Sequence, residues 1–98
     1  MKPAIFHPQA SDELAEAVAY YAKKAGGLGD RFYEVMGRLT VEIEASPQLF
    51  RPWRHGTRRH FNKRFPYALI YIERPTHLAV IAVAHFKRRP GYWRERLG

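Results

Sequence analysis

Two apolar runs stand back to back near the end of this chain. Phe65 to Glu73 reads FPYALIYIE, and His77 to His85 reads HLAVIAVAH. Both are rich in Ile, Val, Tyr and Phe and short enough to be strands, with Arg74-Pro75-Thr76 as the turn between them. The hairpin they predict must be covered. Both strands are apolar on both sides, so the pattern leaves open which side faces the core.

The cover lies upstream. Lys2–His7, with Ile5 and Phe6 apolar and Pro3 suited to a strand start, predicts a first short strand. Pro8 sits where a helix can begin. Ser11, Asp12, Glu13 and Glu16 are read as first-turn groups that complement the helix dipole. Ala10, Leu14, Ala17, Val18 and Tyr21 form an amphipathic stripe that Lys23, Lys24 and Gly26-Gly27 close. Gly29-Asp30 opens a second helix, with Phe32, Val35, Met36, Leu39 and Ile43 as its stripe and Ser46-Pro47 as its end. The short Gly-rich link makes the pair an αα-hairpin. Short strands are expected at Trp53–His55 and Thr57–Phe61, separated by Gly56, with a turn at Asn62-Lys63. A short terminal helix or coil is expected over Gly91–Leu97. The class is α+β: helices on one face of a mostly antiparallel sheet, the other face or its rim left to solvent.

At 98 residues, residues 1–98 form one domain. An apolar fraction of 46% is enough for a core and argues against disorder. The absence of cysteine excludes a disulfide scaffold and cysteine-based zinc, and fits a reducing compartment. No apolar run approaches the roughly 18 residues of a membrane span, and Met1–His7 lacks a signal-peptide apolar region. The expectation is a soluble cytoplasmic protein with no membrane association.

Charge is divided between the halves. Residues 1–50 carry five basic and seven acidic side chains, net −2. Residues 51–98 carry twelve basic side chains against Glu73 and Glu95, net +10. A half that basic suits a polyanionic partner: nucleic acid, an anionic membrane or an acidic protein segment. The cations gather at Arg51, Arg54, Arg58, Arg59, Lys63 and Arg64, and again at Lys87, Arg88, Arg89, Arg94 and Arg96. Aromatics lie among them: Trp53, Phe61, Phe65, Tyr67, Tyr92 and Trp93. Cations neutralise phosphates and aromatic faces stack on unpaired bases. The competing reading makes the aromatics core and the arginines a solvated rim. Five histidines carry no metal-site spacing and no accompanying acids or cysteines, so no metal and no cofactor is expected. His85 ends a strand and leads into Phe86, Lys87, Arg88 and Arg89, where it would face an anion beside fixed cations.

Several segments in order resemble the RelE/ParE superfamily of bacterial toxins. They are His7, Pro8, Ala10, Glu13 and Leu14; Leu28, Gly29 and Phe32; Ser46-Pro47; Arg64 to Tyr71; and Val83 to Pro90 with Tyr92, Trp93 and Arg96. The resemblance implies an antiparallel sheet with the first strand beside the last and the helix hairpin on one face. It implies the toxin of a type II toxin–antitoxin pair, of the plasmid-stabilisation kind, silenced by a cognate antitoxin in a heteromeric complex. ParE-like members inhibit DNA gyrase; RelE-like members cut mRNA on the ribosome without metal. The nuclease branch carries a strand arginine where this chain has Ala68, which favours the gyrase inhibitor. In a nuclease, His85 or Tyr92 would transfer protons, with Arg64 and Arg88 at the scissile phosphate. Target binding in either case would fall to Arg58, Arg59, Lys63, Arg64, Lys87, Arg88, Arg89, Trp93 and Arg96. A third reading is a non-toxic nucleic-acid-binding module. Growth on induction separates the third from the others; primer extension on cellular mRNA separates the first two.

Overall fold

The computed structural model describes residues 1–98. In chain order the elements are β1 (Ala4–Phe6), α1 (Pro8–Lys24), α2 (Leu28–Ala45), β2 (Arg51–Pro52), β3 (Arg58–His60), β4 (Tyr67–Glu73) and β5 (Leu78–His85). Short 3-10 turns occupy Arg54–Gly56 and Arg94–Leu97. One five-stranded sheet runs β1-β5-β4-β3-β2. β1 pairs parallel to β5, and every other pairing is antiparallel. The α+β class and the first strand beside the last are as expected.

Local chemistry sets the helix ends. The His7 ring Nδ1 accepts from the Gln9 N–H at 3.1 Å, with Pro8 at the first helical position, where a missing N–H costs nothing. Gly27, in the left-handed region at φ 78°, turns the chain into α2. A Cβ on Gly29 would lie 2.7 Å from the Val18 carbonyl oxygen, so the helices approach there as only glycine permits. Ser46 ends α2 before Pro47, whose carbonyl accepts from the Tyr71 hydroxyl at 2.6 Å. Burial raises that phenol to about 12. The acids do not cap α1 as expected: its first turn holds none, and Glu13 turns toward the sheet.

The first core lies between helices and sheet. Phe32, Val35, Met36, Leu39 and Ile43 of α2 are buried against Leu69, Tyr71, Val80 and Val83. Tyr21, Phe32 and Phe65 pack ring to ring at 4.9–5.2 Å.

The other sheet face is not left to solvent. Ala68, Ile70, Ile81, Ala82 and Ala84 form a second core with Trp93, which is 1% exposed, and Trp53, Tyr92 and Leu97 pack on it. The two strands read apolar on both sides because both sides are buried. A register shift sharpens this. Ile70 faces Ala82 and Tyr71 faces Val80, so Ile81 has no partner on β4. The bulge puts consecutive Ile81 and Ala82 in the same core, which strict alternation forbids.

The strand expected at Trp53–His55 is a turn. The ladder stops at Pro52, and the Trp53 N–H closes onto the Thr57 carbonyl at 2.7 Å with His55 at φ 60°. Pro52 has no N–H to give and fits the sheet edge. No helix is long and apolar enough to cross a membrane.

Candidate functional site

The β4–β5 hairpin brings the two basic clusters to one end of the sheet. Tyr67 pairs with His85, and the Phe86 N–H donates to the Pro66 carbonyl at 2.8 Å. The 62–66 and 86–90 loops therefore lie side by side, with Lys63, Arg64, Lys87, Arg88 and Arg89 exposed. Between them Phe61 and Phe86 meet edge to face at 5.0 Å while staying 37% and 48% exposed. This is a basic, aromatic-bearing surface of the kind the composition pointed to.

Other candidates do not join it. Arg58 and Arg59 are neighbours on β3 and point to opposite faces. Arg58 turns to the helix side and donates to the Phe50 carbonyl at 2.8 Å. Arg59 turns to the second core, where its guanidinium lies 3.9 Å from the Trp53 ring centroid. Arg64 leaves from a loop closed by the Asn62 side chain onto its own N–H, away from the recess that Arg88 lines. Trp93 is core, not a surface anchor, because the tail folds back over the sheet.

Arg96 is likewise internal. Its guanidinium grips Glu13 at both carboxylate oxygens, at 2.9 and 3.0 Å, with Arg96 and Glu13 side chains 10% and 13% exposed. Glu13 also accepts from the Tyr92 hydroxyl at 2.7 Å and from the Val83 N–H at 3.0 Å. Arg96 donates again to the Ile81 carbonyl at 3.1 Å. β1 pairs no further than Phe6 with Val80, so the β5 edge would be open beyond that point. Glu13 and Arg96 satisfy it there and tie the tail to α1. Burial and the Glu13 carboxylate push the Tyr92 phenol well above its ordinary range, so its hydroxyl is a poor proton-transfer group. The hydrogen bond to Glu13 raises the Arg96 pKa against its burial. Sequence reasoning read Glu13 as a dipole-complementing acid and as part of the family motif but missed this buried role, although a signal existed: it lies three residues after Ala10 and four before Ala17, on the buried stripe.

His85, Arg88 and Tyr92 do come together. They line a recess of about 230 Å³ over the second sheet face, floored by Ala68 and Ala84. The Lys87 N–H donates to His85 Nδ1 at 3.0 Å, so the neutral ring keeps its proton on Nε2. Arg88 stacks on Tyr92 at 3.9 Å. Ala68 is 2% exposed, a methyl group where a nuclease of the superfamily would place a guanidinium.

On the opposite side of the molecule, Phe6, Leu14, Tyr33, Met36, Gly37 and Thr40 line a groove of about 350 Å³. Tyr33 stays 59% exposed there, and Val41 elsewhere on α2 is 63% exposed.

A family model described as the ParE toxin of the type II toxin-antitoxin system, parDE, matches residues 4–90. No curated protein sequence matches the chain. Among solved structures, a chain of the chromosomal ParDE TA system from P. aeruginosa superposes with a TM-score of 0.67 at 13% identity. The match covers 87% of this chain and 96% of that one, and at such identity it bears on the fold.

Proposed function

The chain belongs to the ParE toxin family of type II toxin–antitoxin systems, and from that premise we propose that it arrests growth by binding and inhibiting DNA gyrase. The observation that carries this reading is Ala68. Loss of one guanidinium at a transition state costs about 3 kcal/mol, or about 10²-fold in rate. Arg59 and Arg88, the cations that line the recess with Ala68, lie stacked on Trp53 and Tyr92. The Tyr92 hydroxyl is already committed to Glu13. Such a surface binds a protein better than it cleaves a phosphodiester.

Purified toxin is expected to block supercoiling of relaxed plasmid by gyrase. Primer extension on translated mRNA should show cleavage absent or about 10²-fold below that of a nuclease member. Strong codon-specific cutting with gyrase unaffected would overturn the proposal and make His85 the first residue to mutate.

The antitoxin that the family implies is proposed to lay an amphipathic helix in the α1–α2 groove, its acids facing a chain of net charge +8. Gly37 offers a clean test, because a Cβ there meets nothing within 4 Å. Gly37→Arg should leave thermal stability unchanged or slightly raised, since glycine costs about 1 kcal/mol in a helix interior. It should abolish co-purification with the antitoxin. Intact co-purification would place the antitoxin elsewhere.

A further inference from the structure

The recess over the second sheet face holds a group that nothing in the fold satisfies. Arg59 Nε is buried from solvent and has no hydrogen-bond partner. Across the β2–β3 ladder Arg59 faces Arg51, a like charge directly opposite. Burial first, and Arg51 second, hold the Arg59 pKa below its ordinary value. On the far wall stand Arg88 and the His85 ring, which offers Nε2–H because Nδ1 is taken. No carboxylate lines this space. Of the acids near the tail, Glu95 lines a separate recess with His55 and Arg94, and Glu13 is fully occupied by Arg96, Tyr92 and Val83. The Arg59 guanidinium has no acceptor in the fold, and its buried Nε–H stays unpaired until the group shifts or an acceptor arrives.

We infer that this recess is a binding site for one carboxylate side chain of a partner polypeptide, seated on the two Nη–H groups of the Arg59 guanidinium, since its Nε–H is screened from solvent. Those two groups form an edge that takes a carboxylate in two parallel hydrogen bonds. At about 230 Å³ the space lies below the roughly 300 Å³ at which small-molecule pockets begin, and suits one side chain. The Ala68 and Ala84 floor accepts the methylene stem.

The aromatic surfaces decide between a peptide and a nucleic acid. Unpaired bases bind by stacking on free ring faces. Here Arg59 covers a face of Trp53 and Arg88 a face of Tyr92, each at 3.9 Å, and both rings pack on the second core. Phe61 and Phe86 meet edge to face, and Arg59 also lies over the Phe61 ring at 5.1 Å. An acidic side chain needs no free ring face. The inference rests on the protein-directed reading above only for the source of the carboxylate.

The test is a titration of the ¹⁵N-labelled protein, reading arginine Nε–H resonances, with Arg59 assigned by its loss in Arg59→Lys. The probes are a capped pentapeptide with one central glutamate among glycines, its glutamine twin, and hexauridylate, at constant ionic strength. The glutamate peptide should move the Arg59 Nε–H signal saturably and bind at least tenfold tighter than the twin. Arg88→Gln should weaken it severalfold. An unmoved Arg59 signal, equal binding of the twin, or hexauridylate binding tighter than the peptide would overturn the site. The isolated chain is used, so the outcome is separate from gyrase inhibition. A saturating shift in a protein inert toward gyrase would sink the functional reading and keep the site; an active toxin without the shift would do the reverse.

Discussion

Replacing Glu13 by Ala is expected to lower the unfolding free energy by about 3–5 kcal/mol, the range for stripping one partner from a buried ion pair. The reason is the company Glu13 keeps. Its two oxygens serve a two-pronged Arg96, the Tyr92 hydroxyl and the Val83 N–H. Without them Arg96, its side chain 10% exposed, keeps only the Ile81 carbonyl. The cost of an unpaired buried cation exceeds the net value of the pair, so the double variant Glu13→Ala/Arg96→Met should be less destabilised than the sum of the singles. Glu13→Gln, which keeps an acceptor and loses the charge, should fall between. Urea denaturation of the parent protein, the singles Glu13→Ala, Arg96→Met and Glu13→Gln, and the double variant reads all of this. A loss below about 1 kcal/mol in Glu13→Ala would show that water replaces the carboxylate and that the tail is not held at this point.

How far the sequence spoke depended on whether a signal was local. The α2 stripe from Phe32 to Ile43 repeats over five positions, and every one of those residues is buried. The β4–β5 hairpin was equally plain. The inner face was not, because what covers the second face is one indole and a few neighbours from the tail, too short to show a period. The bulge at Ile81 carries no glycine to mark it. Arg96 read as a surface cation because its partner lies 83 residues away. The opposed directions of Arg58 and Arg59, by contrast, were implicit in the two-residue period of a strand. The basic loops at one end of the sheet were legible as charge; their convergence needed the β4–β5 register. The unsatisfied Arg59 Nε had no signal at all, since it depends on where Trp53 lands after a turn that composition disguised as a strand.

The same geometry gives a firm expectation for the chain cut after Phe86. The lost segment looks dispensable in sequence, with five cations or prolines among its first eight residues and no regular helix. Yet it carries Trp93, and burying a tryptophan contributes about 3–5 kcal/mol by the cost of its removal. It also carries Arg96 and Tyr92, whose departure leaves Glu13 charged beside the exposed backbone edge of β5. Together these losses, about 6–10 kcal/mol, fall within the roughly 5–15 kcal/mol by which a domain is ordinarily stable. What would then face water is a contiguous apolar surface, Ala68, Ile70, Ile81, Ala82 and Ala84, beside an unprotected strand edge, the combination that drives strand-to-strand association. The truncated protein is expected to be aggregated or unfolded, with no cooperative melt by circular dichroism and no monomer peak on gel filtration. Loss of toxicity on truncation would then report loss of fold, and the exposed Lys87 and Arg89 would need charge-reversal variants in the full chain to show a role in target binding. A folded, monomeric, non-toxic truncation would overturn this account: the tail would be a targeting arm laid on a sheet that stands without it.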